Sequence, residues 1–111
     1  MKPKVAIIYN SGSTSTSFIV MFYTLKDDGK LEYCGDPYDL ETKEEVMDKI
    51  ASEAPSVVQL SVSLFYGMME LLMRTRSCLP KARILVKASY WQDAERAQAF
   101  RNGANACIHD S

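Results

Sequence analysis

The sequence predicts an α/β protein built on a doubly wound, five-stranded parallel sheet. Short apolar runs alternate with stretches of helical spacing along the whole chain, which is typical of a parallel sheet with helices on both faces. The runs are continuously apolar rather than alternating, as buried parallel strands are. With 111 residues, 47% of them hydrophobic, the chain is expected to form a single domain over residues 1–111, with strand order 2-1-3-4-5.

The first strand and the first helix are predicted from the first quarter of the chain. Residues 5–9 form an uninterrupted apolar run that predicts a central strand. Four residues then recur at the spacing of one helical face: Phe18, Met21, Phe22 and Leu25. Since residues 18–23 are apolar nearly all round, this helix is expected either to be deeply buried or to present a partner surface.

A turn, a short strand and a capped helix are predicted next. Asp27-Asp28-Gly29 is a turn signal, and residues 31–34 are predicted as the second strand. Thr42 and Glu45 have the spacing of a capping box. The second helix should therefore begin there and end before Pro55.

The second half of the chain repeats the alternation of strand and helix. The predicted elements are a third strand over residues 56–61, a third helix carrying Met69, Leu72, Met73 and Arg76, a fourth strand over residues 84–86, a fourth helix carrying Ala94, Ala97, Ala99 and Phe100, and a fifth strand over residues 106–108. Asn102-Gly103 fits the C-terminal cap of the fourth helix. No closing helix follows the fifth strand. We therefore expect either an excised domain or a sheet face that a second copy or a partner covers.

Composition and charge narrow the function classes. The net charge of −1 gives no electrostatic reason to expect nucleic acid or an acidic membrane surface as a partner. The longest apolar stretch, residues 18–23, is too short to cross a bilayer. The three cysteines (Cys34, Cys78 and Cys107) and the lone His109 form no metal-ligand pattern. We expect a reduced, cytoplasmic protein without a metal or another cofactor.

The carboxyl ends of the strands are where this architecture is expected to place a functional site. Ser61 ends the third strand, but no Gly-x-Ser-x-Gly motif surrounds it, and the only histidine lies on the fifth strand. Without a nucleophile–base pair or a metal set, we do not expect an enzyme.

A hydroxyl-rich loop is the best ligand-binding candidate. Hydroxyls and backbone N–H groups at a helix N-terminus suit an anion. The candidate residues are Gly12, Ser13, Thr14 and Ser15, together with Ser61 and Ser63. In the alternative interpretation, the hydroxyls of this loop only cap the N-terminus of the following helix.

Aromatic residues predict a protein-contact surface. Tyr90 and Trp91 follow the fourth strand, and Trp and Tyr are effective interface anchors. Packing at the start of the fourth helix is the alternative for this pair. The predicted first helix adds Phe18, Phe22 and Tyr23 to the candidate surface.

Several stretches carry a family resemblance. They are Leu31-Glu32-Tyr33-Cys34-Gly35, residues 55–64, Glu70-Leu71-Leu72 through Arg76, residues 79–86 and residues 99–105. From about Leu31 onward, the chain resembles the receiver domains of two-component response regulators. The resemblance implies the flavodoxin-like strand order 2-1-3-4-5.

The same resemblance implies that phosphotransfer has been lost. Ser61 falls where the family has its phosphorylated aspartate. The other changed positions are Tyr9 and Asn10 at the paired acids, Ala88 or Ser89 at the switch Ser/Thr, and His109 or Asp110 at the lysine. The resemblance therefore implies a pseudo-receiver, a regulatory module independent of phosphorylation. It would act through a protein partner or as a homodimer in signal transduction or transcriptional control.

A second family is also similar. Leu60-Ser61-Val62-Ser63-Leu64 and Gly103-Ala104-Asn105, with Asp110, resemble motifs of cobalamin-binding domains. The family's histidine ligand motif would fall on residues 12–17, which contain no histidine, and Lys87-Ala88 replaces its Gly-Gly. This resemblance implies a degenerate sensor domain that binds a small ligand or cofactor at the Ser/Thr loop of residues 12–17.

Overall fold

The fold consists of a mixed β-sheet and three helices. The structure, a computed structural model, describes residues 3–10, 18–62, 68–89 and 91–109. Its elements in chain order are β1 (Lys4–Asn10), β2 (Phe18–Leu25), β3 (Leu31–Tyr33), β4 (Tyr38–Leu40), α1 (Lys43–Glu53), β5 (Val57–Val62), α2 (Met68–Cys78), β6 (Arg83–Ala88), α3 (Asp93–Arg101) and β7 (Ala106–His109).

The sheet is parallel on one side of β1 and antiparallel on the other. Strands β1, β5, β6 and β7 are neighbours and run parallel. Strand β2 runs antiparallel to β1, and β3 and β4 both pair with the far edge of β2. The strand order is β3-β2-β1-β5-β6-β7, with β4 on the same edge of β2 as β3. A largely parallel α/β sheet is therefore confirmed, but the predicted order 2-1-3-4-5 is wrong, and the described sheet has seven strands where five are predicted.

The error originates in Phe18–Leu25, which is strand β2 and not the predicted first helix. Its register with β1 runs from Asn10 opposite Phe18 to Lys4 opposite Thr24. The segment is rich in aromatic and β-branched residues, which favour a pleated surface. A helix of eight residues would also depend on tertiary packing for its stability. The predicted second strand exists as β3, but it pairs with β2 and does not lie beside β1.

The helices all lie on one face of the sheet, so the doubly wound prediction is also wrong. The steps β5–α2–β6 and β6–α3–β7 move in one direction along the sheet, and right-handed crossovers in one direction place their helices on the same face. Helix α1 packs beside α2, where Arg74 Nη1 lies 2.9 Å from Glu44 Oε1. Because residues 18–25 form a strand, no crossover helix turns toward the opposite face within the described residues.

The core lies between the sheet and the helix layer. Alternate strand residues point toward the helices and are at most 4% exposed: Ala6, Ile8, Phe18, Val20, Phe22, Val58, Leu60, Ile84, Val86 and Ala88. The helices contribute Val46, Ile50, Leu71, Leu72 and Ala99 to the same cluster. Burial of this continuous apolar layer drives the packing of helices on sheet.

Local sequence signals fix the turns and caps as predicted. Gly29 has φ of 84° in the β2–β3 turn, a conformation that glycine adopts without strain. The Thr42 hydroxyl accepts a hydrogen bond from the Glu45 N–H at 3.1 Å, which caps α1. Gly103, with φ of 116°, follows α3 and lies against Arg76.

The longest helices of the described segments have 11 residues. None of them has both the length and the apolar character that a membrane-spanning helix requires.

Candidate functional surface

The most distinctive surface is the face of the sheet opposite the helices, which we call the helix-free face. Paired residues in a sheet point to the same side, so the register defines this face. Its residues are Val5, Ile7, Tyr9, Ile19, Met21, Tyr23, Leu25, Leu31, Tyr33, Asp39, Val57, Gln59, Ser61, Arg83, Leu85, Lys87, Ala106 and Ile108. No helix of the described chain covers it.

A cluster of tyrosines and a methionine forms the β1–β2–β3 part of this face. The rings of Tyr23 and Tyr33 lie 4.8 Å apart between centroids. Both hydroxyls point toward the Met21 sulfur, at 3.6 Å and 3.7 Å. Tyr9, 38% exposed, lies on the neighbouring strand, and Tyr33 is 60% exposed. The result is a water-facing patch of large, polarisable side chains.

The ionisation of Tyr23 reflects this crowding. The Tyr33 hydroxyl, mainly as a hydrogen-bond partner, raises the pKa of Tyr23 to about 12. Desolvation and the nearby Tyr9 act in the same direction. Tyr23 therefore stays neutral at any physiological pH.

A polar strip follows on β5 and β6. The Gln59 amide donates a hydrogen bond to the Ser61 hydroxyl at 2.9 Å. Ser61 lies between Tyr9 and the half-buried Lys87 in the sheet register. The predicted phospho-site position is thus on the helix-free face and is held by a neighbouring amide.

Opposite charges stand at the two sides of the face. Asp39 on β4 pairs with Ile19, and Lys87 on β6 pairs with Ser61. Because Ile19, Tyr9 and Ser61 are also paired, all five belong to one row across the sheet. A second cation, Arg83, lies in the row that contains Tyr33, Tyr23, Val5 and Val57.

The carboxyl end of β1 holds an unusual buried group. The side-chain oxygen Oδ1 of Asn10 is buried and has no hydrogen-bond partner in the described part of the chain. A buried carbonyl oxygen without a partner is uncommon in folded proteins. The sequence predicts a site at the carboxyl ends of the strands; among the described strands, β1, β5, β6 and β7 follow one another in a single direction, so their ends do not border a crevice between strands wound in opposite directions.

The remaining predicted ligand residues and one aromatic fall outside the described residues. They are Gly12, Ser13, Thr14, Ser15, Ser63 and Tyr90. Of the predicted ligand set, only Ser61 is therefore placed.

The predicted contact residues separate into core and surface. Phe18 and Phe22 are 4% exposed and point into the core, so they are not available to a partner. Tyr23 lies on the helix-free face. Trp91 is half-buried and donates its indole N–H to the Ile108 carbonyl at 3.0 Å, which ties the start of α3 to β7.

The other reactive residue types show no assembled site. Burial raises the pKa of the Cys107 thiol, which disfavours the thiolate. Exposed His109 ends β7. Over the described residues, no three His, Cys, Asp or Glu side chains group so that they could hold a metal ion.

At the opposite end of the sheet, Arg76 ties α2 to the loops around β6 and β7. Its guanidinium donates to the carbonyl oxygens of Leu79, Pro80, Ala82 and Gly103 and to Asn105 Oδ1, at 2.7–3.2 Å. These bonds satisfy carbonyls that lie beyond regular secondary structure. The role of Arg76 here is therefore structural.

No protein-family model and no curated protein matches this chain. The receiver and cobalamin-domain resemblances therefore stay expectations, and a function has to be inferred from the surface itself.

Sequence reasoning missed the helix-free face, although a signal was available. Ile19, Met21 and Tyr23 alternate with Phe18, Val20 and Phe22, which is the period of a strand with two apolar faces. Treated as a strand beside residues 5–9, this pattern would have indicated a second apolar surface.

Proposed function

We propose that this chain is a regulatory protein-interaction module that works without phosphorylation and uses the helix-free face as its contact surface. One observation carries the proposal. A continuous sheet face bearing three tyrosines, a methionine and several aliphatic residues has no described helix against it. Large apolar patches on folded proteins mark interaction sites.

The chemistry of the patch favours a protein partner. Tyrosine and methionine are enriched at protein interfaces, where they provide large contact areas with little charge to desolvate. Tyr9 and Tyr33 are the exposed anchors of the patch, and Met21 can adapt its shape to a partner. A flat sheet face of this kind suits another flat protein surface better than it suits a small ligand, which prefers a concave pocket.

The residues at the receiver positions support independence from phosphorylation. Ser61, Tyr9 and Asn10 provide no carboxylate to accept a phosphoryl group or to bind magnesium. The Ser61 hydroxyl also accepts a hydrogen bond from Gln59. The signalling or transcriptional setting follows from the receiver resemblance, which lies mostly in the part of the chain that forms β5 to β7.

Site-specific photo-cross-linking tests the proposal directly. The photoreactive residue p-benzoylphenylalanine replaces Tyr33 on the helix-free face or, as the control, Phe100 on α3; the two aromatics are 60% and 46% exposed. Each variant is irradiated in cells, and the adducts are identified by mass spectrometry. We expect discrete protein adducts at position 33 and few or none at position 100.

Two results would overturn the proposed function. One is the absence of protein adducts at position 33 while the variant is folded. The other is equal adduct formation at positions 33 and 100, which would mean that the helix-free face is no different from the rest of the surface.

One observation favours a second candidate, a small-ligand sensor at the carboxyl end of β1. The buried Asn10 Oδ1 has no partner among the described residues, and a ligand with a hydrogen-bond donor would satisfy it. Native mass spectrometry of the protein purified from cells should then show a bound small molecule that Asn10→Leu loses. Retention of the ligand by Asn10→Leu, or its absence from the wild-type protein, would exclude this candidate.

A further inference from the structure

We infer that the partner on the helix-free face is a second copy of this chain, packed face to face about a twofold axis roughly parallel to β1. This inference rests on the proposed function and names its partner. The positions of residues in the sheet register support it, because a twofold axis fixes which residue of one copy faces which residue of the other.

A half-turn about an axis along β1 brings the strands on one side of β1 over the strands on the other side of β1 in the second copy. It places β2 over β5 of the other copy, and β3 and β4 over β6, while β1 faces β1. The level along the strands is kept, so each residue faces a residue of its own row. Aligned sheet packing with a crossing angle of about −30° and a spacing of about 10 Å has this geometry.

This arrangement brings opposite charges together. Asp39 and Lys87 lie in one row, each two strand positions from β1 and on opposite sides of it. In the pair, Asp39 of each copy faces Lys87 of the other, which gives two such contacts. In the row that contains Val5, Tyr33 of each copy faces Arg83 of the other. This combination allows a cation–π contact.

The other in-plane axis, perpendicular to the strands, is unfavourable. A half-turn about this axis places each strand over the same strand of the second copy, with its two ends exchanged. Lys87 would then face Arg83 of the second copy, because both lie on β6, one at each end. Like charges that face each other across an interface cost free energy. The charge pattern therefore selects the axis along β1.

The centre of the proposed interface is free of formal charge. Tyr9, which is 38% exposed, lies on β1 and so faces its own counterpart, whereas Ile7 beside it is only 8% exposed and is already covered by its own chain. In the row of Ile7, Met21 of one copy faces Gln59 of the other. In the row of Val5, Tyr23 faces Val57. An apolar and aromatic centre with charges at the rim is the usual anatomy of a stable interface.

The face is large enough for a dimer. Five neighbouring strand positions overlap, from β3 and β4 to β6, because β7 has no strand opposite it; at about 4.8 Å per strand and about six residues at 3.3 Å they cover roughly 500 Å² per copy. The pair would bury roughly 1,000 Å², the size of a weak, transient protein interface. We therefore expect a reversible dimer rather than a permanent one.

Sedimentation velocity of the purified chain over about 1–100 µM measures the dimer directly, since interfaces of about 1,600 Å² reach micromolar affinity or better and a smaller one should lie at the weak end of that range. Tyr9→Lys places a charge at the axis and should abolish the dimer. Met73→Lys is the control, because Met73 is 54% exposed on α2, away from the face. It should dimerise like the wild type.

A charge exchange tests the axis. Asp39→Lys and Lys87→Asp should each weaken the dimer by about tenfold or more, because like charges then face each other twice. The double variant Asp39→Lys with Lys87→Asp should recover most of the affinity. Urea unfolding of every variant confirms that each remains folded.

The outcomes separate the two proposals. A monomeric wild type over the whole range overturns the self-partner inference; adducts at position 33 with a different protein would then leave the proposed function intact. A dimer that Tyr9→Lys does not affect overturns the inference, and the lack of adducts at position 33 would overturn the proposed function as well. Failure of the double variant to recover affinity overturns the axis along β1.

Discussion

The two faces of the sheet come from the same strands but differ in chemistry. Toward the helices, the central strands present aliphatic residues such as Leu60 and Ile84, both 0% exposed. On the opposite side, the same strands present tyrosines, Met21, Gln59 and Lys87. The aliphatic residues suit permanent burial. The tyrosines and polar residues suit a surface that is hydrated in the free chain and buried in a complex.

This difference shows how winding direction decides which faces of an α/β sheet carry helices. In a doubly wound protein both faces carry helices, and the free surface is the edge where the strands end. Here β2 replaces the helix that would cover the second face. Within the described residues, the surface without helices is therefore a sheet face, which is the surface that the proposed function uses.

The sharpest comparison of the two faces uses leucines on neighbouring strands. Leu60 on β5 points to the helices and is fully buried, whereas the half-buried Leu85 on β6 lies on the helix-free face. Leu60→Ala should lower the free energy of unfolding by about 2–5 kcal/mol, because it leaves a cavity. Leu85→Ala should cost the monomer clearly less, about 1 kcal/mol.

Urea unfolding of both variants at low protein concentration, where the chain is monomeric, provides the measurement. Equal losses for the two variants would mean that the helix-free face is as deeply packed in the monomer as the helix-covered face, contrary to this account.

The next largest expected effect is a loss of stability when Arg76, which attaches α2 to the loops around β6 and β7, is replaced. Arg76→Met removes the donor that serves four carbonyl oxygens and Asn105. We expect a loss of about 2–3 kcal/mol in unfolding free energy, because hydrogen bonds to a charged donor are lost and their acceptors stay partly buried. Arg76→Lys keeps the charge but not the fork of donors, so it should recover only part of the loss.

The same urea experiment tests this role. If Arg76→Lys is as stable as the wild type, charge alone is sufficient, and the multiple hydrogen bonds contribute little.

A smaller effect is expected from Tyr23 and appears only at high pH. Its pKa is raised to about 12 in the folded chain, against 10.0 for an unperturbed tyrosine. The folded state therefore holds a proton that the unfolded state releases, and stability should fall as the pH rises from 10 to 12. Tyr23→Phe should show a shallower fall over this window.

Spectrophotometric titration of the tyrosines identifies the same group. The wild type should show a phenol that ionises near pH 12 and that Tyr23→Phe lacks. A wild type in which Tyr23→Phe removes no such late-ionising phenol would contradict the described Tyr23–Tyr33 contact.

The smallest effect should come from the ion pairs between α1 and α2. Hydrogen bonding to Arg74 lowers the pKa of Glu44, and hydrogen bonding to Lys43 lowers the pKa of Glu70. A lowered carboxyl pKa adds stability above the unfolded value of 4.5 and loses it as the pH falls through the folded value. Since these groups are exposed, the gain is small and screened by salt.

Thermal unfolding of Arg74→Gln at about pH 7 and about pH 3, in low and high salt, measures this contribution, since the unperturbed carboxyl pKa of 4.5 lies between the two pH values. We expect a slight drop in Tm at neutral pH in low salt and a smaller one at the acidic pH. A larger drop than that of Arg76→Met would contradict the expected ranking of the two arginines.

The sequence predicted the second half of the fold well because its signals are local. Residues 57–62, 83–88 and 106–109 are strands, separated by helices, as the alternation indicates. Thr42 and Gly103 mark helix ends through their own hydrogen bonds and backbone angles. Such signals act over a few residues and need no knowledge of the tertiary structure.

The first 40 residues could not be assigned in the same way. Phe18, Met21, Phe22 and Leu25 have helical spacing, yet the same segment also has the alternation of a strand. Only pairing with β1 decides between the two, and that pairing is a tertiary contact. A similar limit applies to α2, where Met73 has the spacing of the buried stripe but is 54% exposed, while Thr75 is buried.

The candidate surface was beyond sequence reasoning because it depends on that one assignment. Tyr23 was predicted as a contact residue on a helix, whereas Tyr9, Met21 and Tyr33 join it only through strand pairing. Residues that lie far apart in sequence become one surface only once the register is known.

Hydroxyl-radical footprinting as a function of protein concentration tests the central claim most directly. As the concentration rises from about 1 to 100 µM, the labelling rates of Met21 and Tyr33 should fall together, since both lie on the face that a second copy covers. Met73 and Phe100, on the helix layer, should be labelled at a constant rate. Constant labelling of Met21 and Tyr33, or protection of Met73 instead, would contradict the assignment of the helix-free face as the dimer interface.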